Sequence, residues 1–344
     1  MRIAHIAEPL IGVMADVYLS VDQDQAWQEA RISAFSDACD SAVSQGAEII
    51  LLTGRLFADS YVTDLTISRV LDVIREKKAV FVWKPDANGK RYLAHKSDIP
   101  HNFYLLDPDS QAEFLLRDAH ITLWSGRGEG SDGCNILIFD RAPELNPQNL
   151  SLVQKVLPKI QYIAAGERVY LPKDGSFLSK HVPKLENTGF DDEEESGYFL
   201  LELSEKADEP VSLQKKDAAF YHFHQITVDV ETEDDYGAVY RKCAAATSGL
   251  GKHDCVRILL RGKVDVEAFI RPDSLQESLK PRFFYLEIFN DCRLELDEAA
   301  YAGDISLKGE FIRMVLSEDS LSESEKSRII QCGWNALRGK ELSE

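Results

Sequence analysis

The chain has no apolar run near the roughly 18 residues that a membrane-spanning helix needs, and no pair of cysteines in a Cys-x-x-Cys arrangement. Its six cysteines (Cys39, Cys134, Cys243, Cys255, Cys292 and Cys332) are scattered over 344 residues. That spacing excludes a zinc knuckle and argues against a disulfide framework; it predicts free thiols in a reducing cytoplasm. Basic residues are in deficit, with 39 Lys and Arg against 58 Asp and Glu and a formal net charge of −19. A protein that holds nucleic acid through phosphate contacts needs a basic surface, so direct, tight nucleic-acid binding is disfavoured. The first residues lack the layout of a secretion signal, because only Arg2 precedes the apolar stretch and Glu8 and Asp16 interrupt it. Walker, Gly-x-Ser-x-Gly and dinucleotide-binding patterns are missing, as are internal repeats and low-complexity segments.

What is there suits a globular α/β protein. Apolar residues make up 44% and charged residues 28%, at a length that allows two domains with ample core. Residues 2–7 read as a buried strand and Glu8-Pro9-Leu10-Ile11-Gly12 as a turn. A helix over about 24–45 sets Trp27, Ala30, Ala34, Phe35, Ala38 and Ala42 on one face, and a second strand over 47–57 runs into Gly54. In a β-α-β unit the carboxyl ends of parallel strands lie side by side, where α/β proteins hold ligands, so Glu8 and Arg55 are expected to face one crevice. A helix from near Asp64 and a strand at 79–83 repeat the pattern and predict a parallel sheet.

Further on, residues 84–89 read as a turn. Three short strands follow between 103 and 124, and the glycine-rich stretch 126–133 reads as a flexible connector. Strands at 135–140 and 160–166 flank a helix capped by Asn146-Pro147. The acidic run 191–195 reads as a solvated turn before an outgoing strand at 197–203. A change of character near Lys215 opens a small α/β module. After Leu307 two helical stretches carry apolar stripes, Phe311, Met314 and Val315 on one and Ile329, Ile330, Trp334 and Leu337 on the other. Such stripes suit an intramolecular pack or a dimer contact.

In order and spacing, Ala7, Gly12, Gly54, Leu56, Phe57, Ala165 and Gly166 resemble the scaffold positions of the calcineurin-like metallophosphoesterases, most closely their SbcD-type DNA-repair exonuclease branch. The resemblance implies a calcineurin-like phosphoesterase sandwich, with β-sheets flanked by helices, over 1–217. It further implies a small α/β cap domain over 218–295 and a helical tail over 296–344. A homodimer, a coiled-coil ATPase partner and, in an active member, manganese are implied with it. The family's metal ligands are not in place. Glu8, Leu10, Arg55, Asp140, Glu167 and Val169 stand where it has carboxylates and histidines, and Asp86 and Asn88 fall where its Gly-Asn-His-Asp motif is due.

A guanidinium has no lone pair to give a metal, so Arg55 at the bridging position argues against a two-metal centre. The expected site is therefore a degenerate cluster of Glu8, Arg55, Asp86, Asn88, Asp140, Glu167 and Arg168, with no catalytic residue and no cofactor. In it the arginines replace the lost dications by pairing with the acids. The function expected on this ground is that of a non-catalytic member of the exonuclease family, a pseudoenzyme serving as a structural or regulatory subunit. Two alternatives stay open: an active phosphoesterase or nuclease with ligands rebuilt from Asp86, Asn88, Asp140 and Glu167, and a pocket that binds an anion on Arg55 and Arg168. His222 and His224 share a strand face without a third ligand, so they read as a packed or surface pair. His5 reads as a core residue.

Overall fold

The structure, a computed structural model, describes residues 1–58, 62–85, 87–94, 96–106, 111–116, 119–124, 133–139, 160–165, 182–192, 195–203, 211–265, 272–295, 301 and 303–337. The protein is mixed α/β, with sheets of parallel strands flanked by helices. It divides into two compact units, Met1–His222 and Phe223–Glu344. No described helix is long and apolar enough to cross a membrane.

The first unit opens with β1 (Arg2–Ala7), α1 (Val21–Ser44), β2 (Ala47–Thr53), α2 (Asp64–Glu76), β3 (Val80–Trp83), α3 (Ala87–Leu93) and β4 (Phe103–Leu105). A second set of strands follows: β5 (Gln111–Leu116), β6 (Ala119–Trp124), β7 (Cys134–Phe139) and β8 (Ile160–Ala165). Then β9 (Tyr198–Glu202) and β10 (Ser212–Lys216) return to the first sheet, whose order is β10-β9-β1-β2-β3-β4. Strands β1 to β4 are parallel neighbours, and β9 and β10 add an antiparallel edge.

Side chains alternate across the first sheet as a strand's period of two requires. Ala4, Ile6, Ile50, Leu52, Phe81 and Trp83 bury against Phe35, Ala38, Val70 and Ile74 of α1 and α2. Ile3, Ile49, Leu51 and Val82 point the other way and share one apolar layer with Ile121, Leu123, Ile136, Ile138 and Tyr162 of the second sheet, order β5-β6-β7-β8. Burial on both faces explains why β1 and β2 read as continuous apolar runs. Helix α1 starts at a capping box between Ser20 and Gln23, and Gly46, at φ +86°, turns the chain into β2.

The second unit carries β11 (His222–Val230), α4 (Tyr236–Ala246), β12 (Asp254–Asp265), α5 (Pro272–Leu279), β13 (Tyr285–Glu295), α6 (Leu307–Leu316) and α7 (Glu323–Leu337). Its sheet runs β11-β12-β13, with β12 and β13 parallel. Val228, Val239, Cys243, Ile258, Leu260, Leu275 and Ile288 form its core. Helices α6 and α7 pack on a small seam of Ile312, Val315 and Ile330.

One reading from sequence is corrected here, and one strand that was not read is added. Residues 84–89 are not a simple turn, because α3 begins at Ala87; Asn88 and Gly89 occupy its first turn, where N–H groups lack helical partners in any case. Strand β10 was hidden by its polar sequence, Ser-Leu-Gln-Lys-Lys, which suits an exposed edge better than a core. The connector at 126–133 and the helix capped by Asn146-Pro147 lie outside the described residues.

Asn102 fastens the end of α2 to the sheet. Its side-chain amide donates to the carbonyls of Ile74 (2.8 Å), Lys77 (3.1 Å) and Ala79 (3.0 Å). An Asn102→Ala variant leaves these buried acceptors short of a donor and is expected to lose about 1–3 kcal/mol, read as a lower midpoint in urea unfolding; an unchanged midpoint would show that the clamp contributes nothing.

Candidate functional site

Backbone strain collects at the carboxyl ends of β1 and β2. Glu8 (φ +45°) and Leu10 (φ +49°) are left-handed without being glycine, and Gly12 (φ +88°) and Gly54 (φ +69°) flank them. Such conformations cost of order 1 kcal/mol each and persist only where the surroundings enforce them. Here a ladder does so: the N–H groups of Glu8, Leu10 and Ile11 donate to the carbonyls of Thr53 (3.0 Å), Arg55 (3.1 Å) and Leu56 (2.9 Å).

The ladder lays the Glu8 carboxylate over the Gly54-Arg55 backbone. Its Oε1 accepts the Arg55 N–H at 2.9 Å, and its Oε2 accepts Nε at 3.0 Å and Nη2 at 2.9 Å of the same residue. Position 54 admits only glycine, since a Cβ there would lie 2.0 Å from Glu8 Oε1. The Glu8 side chain is 9% exposed and that of Arg55 35%. Trp83 closes the adjoining strand by donating Nε1–H to the Gly54 carbonyl at 3.1 Å.

Beneath this turn His5 bridges the sheets, with Nδ1 2.7 Å from the Tyr162 hydroxyl and Nε2 2.8 Å from Thr53 Oγ1. Burial drives the His5 pKa down to about 3 and raises that of Tyr162, so at neutral pH the imidazole is uncharged and holds strands together.

A second buried charge was missed in the sequence. Arg31 of α1, set among Trp27, Ala30, Ala34 and Ala38, is 1% exposed. It donates to the carbonyls of Pro9 (3.2 Å) and Asn187 (3.3 Å) and lies 3.9 Å from the Glu186 carboxylate. Burial lowers the Arg31 pKa and raises that of Glu186, while each partner's charge opposes the other's shift. Arg31 also covers the Trp27 ring at 5.3 Å, and Trp27 stacks on Tyr221. The usable signal was an arginine four residues from Trp27 on an otherwise apolar helix face. Nearby, the reading of the acidic run as a solvated turn is corrected at Asp192. This carboxylate accepts from Lys184 (2.5 Å) and from the Thr188 N–H (2.6 Å), while the Thr188 hydroxyl donates to Asp16.

Of the residues picked from sequence, the structure brings Glu8 and Arg55 together. Asp86, Asp140, Glu167 and Arg168 lie outside the described residues, as does the side chain of Asn88. His224 is engaged by Asp254, Nε2 to Oδ1 at 2.8 Å, and the other oxygen of that carboxylate accepts the Gly251 N–H at 2.6 Å. Among the described residues no group of three or more His, Cys, Asp or Glu is placed to hold a metal.

Solved structures that align with the chain include a glutamine-dependent NAD+ synthetase from Acinetobacter baumannii in complex with adenosine diphosphate, at 10% identity and a TM-score of 0.31. Another is a glutamine-dependent NAD(+) synthetase from Cytophaga hutchinsonii, at 11% identity and a TM-score of 0.34. Each alignment covers 98% of this chain and 71% of the neighbour. No family model and no curated protein matches the chain. At such TM-scores the synthetases lend this chain no chemistry.

These findings overturn the resemblance drawn from sequence. The aligned structures are synthetases, not calcineurin-like metallophosphoesterases or SbcD-type DNA-repair exonucleases. With the resemblance go the degenerate exonuclease-family member, its pseudoenzyme label and the active phosphoesterase or nuclease. The physical reason lies in the positions that carried the likeness. Gly12 and Gly54 serve left-handed turns, and Ala7, Leu56, Phe57 and Ala165 are buried at strand ends. Any tightly turned β-α-β crevice demands such residues, whatever its family. The anion pocket meets a separate obstacle, because Arg55 is already engaged by Glu8.

The His5 site has a consequence for pH. The folded state holds His5 below its ordinary pKa of 6.5, at about 3, so the unfolded chain binds the extra proton and acid favours unfolding. Stability from this residue is complete above about pH 6.5 and falls by up to roughly 1.4 kcal/mol per pH unit between there and pH 3. His5→Gln keeps polar contacts without the titration, so its acid unfolding curve should slope less over that window; an identical slope would assign the acid sensitivity elsewhere.

Proposed function

We propose that this chain works through contacts with other macromolecules, as a scaffold or adaptor, and that the charges at its sheet edge hold strand ends together. The observation that carries this reading is the mutual engagement of Glu8 and Arg55. A general base or nucleophile needs a carboxylate lone pair turned to a substrate, and Glu8 accepts three hydrogen bonds from one arginine. We extend the cluster to Asp140, which follows β7, and to Glu167 and Arg168, which follow β8, as further charges pairing at strand ends. The apolar layer common to the two sheets supports a sandwich architecture for the first unit. Six unpaired cysteines, four of them buried, support a reducing, cytoplasmic setting.

The test is a coupled pair of variants. Arg55→Ala leaves a nearly buried carboxylate without its cation. Because Arg55 is one-third exposed, the loss should fall below that of a fully buried pair, at about 1–3 kcal/mol in thermal or urea unfolding. Adding Glu8→Gln to Arg55→Ala should recover part of the loss, since removing both partners costs less than orphaning one. An Arg55→Ala protein as stable as the parent would overturn the reading and leave the crevice charges available to a ligand.

A further inference from the structure

Strand β13 stands at the end of the second unit's sheet; among the described residues only β12 pairs with it. An end strand presents a row of backbone N–H and C=O groups to which a further strand can bind. The row here is long, from Tyr285 to Glu295, and Leu286, Ile288 and Phe289 make its first half apolar. Phe289 is 50% exposed. Length, apolarity and exposure together are what favour unwanted pairing with a second copy.

Two side chains oppose it. Backbone groups along a strand point to its two sides in turn, so alternate residues share one edge. The Ile288 N–H donates to Gln276 Oε1 at 3.2 Å, and the Cys292 N–H donates to Asn290 Oδ1 at 3.1 Å. Their even spacing puts Ile288 and Cys292 on the same edge. Side chains, not β12, take both donors, which places that edge on the outside of the sheet. Leu275 and Leu279 bury α5 in the core beside Leu286 and Ile288, and Gln276 reaches the edge from the margin of that helix. On the inner side β13 is already fastened, since Glu287 pairs with Arg257 and Asp291 with Arg261 of β12.

We propose that Gln276 and Asn290 close the outer edge of β13, by holding the donors that a strand from a second copy of this chain would need. Of the outward N–H groups at 288, 290 and 292, side chains hold those at 288 and 292. An incoming strand must displace both side chains before it gains a run of ladder hydrogen bonds, so the first step of strand addition is uphill. The inference does not rest on the contact reading above; it names a contact that the fold prevents.

Residue-resolved amide hydrogen exchange and sedimentation velocity on the full chain test it. Gln276→Met keeps the length of the side chain and removes the acceptor. The Ile288 amide should then exchange about fivefold faster, the worth of one neutral hydrogen bond, while the Ile258 amide inside the sheet keeps its rate. Gln276→Glu retains an acceptor and should leave the Ile288 rate close to that of the parent. Gln276→Met combined with Asn290→Val frees both donors. This double variant should form larger species than the parent at the same concentration, with unchanged far-ultraviolet circular dichroism when dilute. In those species the Ile288 and Cys292 amides should be protected again, as strand pairing requires. An Ile288 rate indifferent to Gln276→Met, or a double variant that sediments like the parent at every concentration, would overturn the proposal. If the double variant failed to fold, the exchange rate in the single variant would decide.

Discussion

A carboxylate removed from water must find donors, and at the head of this fold Glu8 finds three on a single residue two strand ends away. Much of the local structure follows from that requirement. Reaching the Arg55 backbone and guanidinium together needs the chain after β1 to turn left-handed at Glu8 and again at Leu10. That turn holds because its N–H groups pair with the carbonyls of Thr53, Arg55 and Leu56, so the ladder and the ion pair support each other. Gly54 is then compulsory, since the carboxylate occupies the place of a side chain. The strain and the charge are two sides of one contact, which is why an unusual backbone here does not by itself mark a reactive centre.

Arg31 applies the same logic from the helix layer. Its guanidinium reaches under the turn to the Pro9 carbonyl and across to Asn187 and Glu186. Glu186 in turn accepts the Phe220 N–H at 2.9 Å. A buried ion pair is weak ground for stability, because desolvation offsets much of the attraction. Its value here is positional: one side chain ties α1, the turn after β1 and the segments near 187 and 220 to a single arrangement.

The parts of this architecture that depend on period and burial were legible in the sequence. Both long strands, α1, α2 and the tail helices fall within a few residues of where apolar spacing puts them, since side-chain alternation and helical stripes are local properties. What depends on tertiary partners was not. The polar β10 is a strand because β9 offers it an edge, and Asp192 is an anchor because Lys184 and Thr188 come to meet it. Glu8 and Arg55 were placed in one crevice from topology alone, but their detailed pairing needs the left-handed turn, for which a Glu-Pro-Leu sequence gives no cue. The family resemblance failed for a related reason. Glycines at tight turns and apolar residues at strand ends report the shape of a crevice, and many unrelated crevices share that shape.

Charges satisfied inside a protein are unavailable outside it, so function has to be sought where groups are left unsatisfied. Among the described residues of the first unit these charges are engaged: Glu8 with Arg55, Arg31 with carbonyls and Glu186, Asp192 with Lys184. The tail presents the opposite case, apolar side chains standing in water beside a groove, with Met314 and Leu307 about two-thirds exposed. Each buried methylene is worth about 0.8 kcal/mol, so leaving such a face wet forfeits stability. The fold thus withdraws polar groups from interaction at the sheet edge and leaves apolar ones exposed on the tail hairpin.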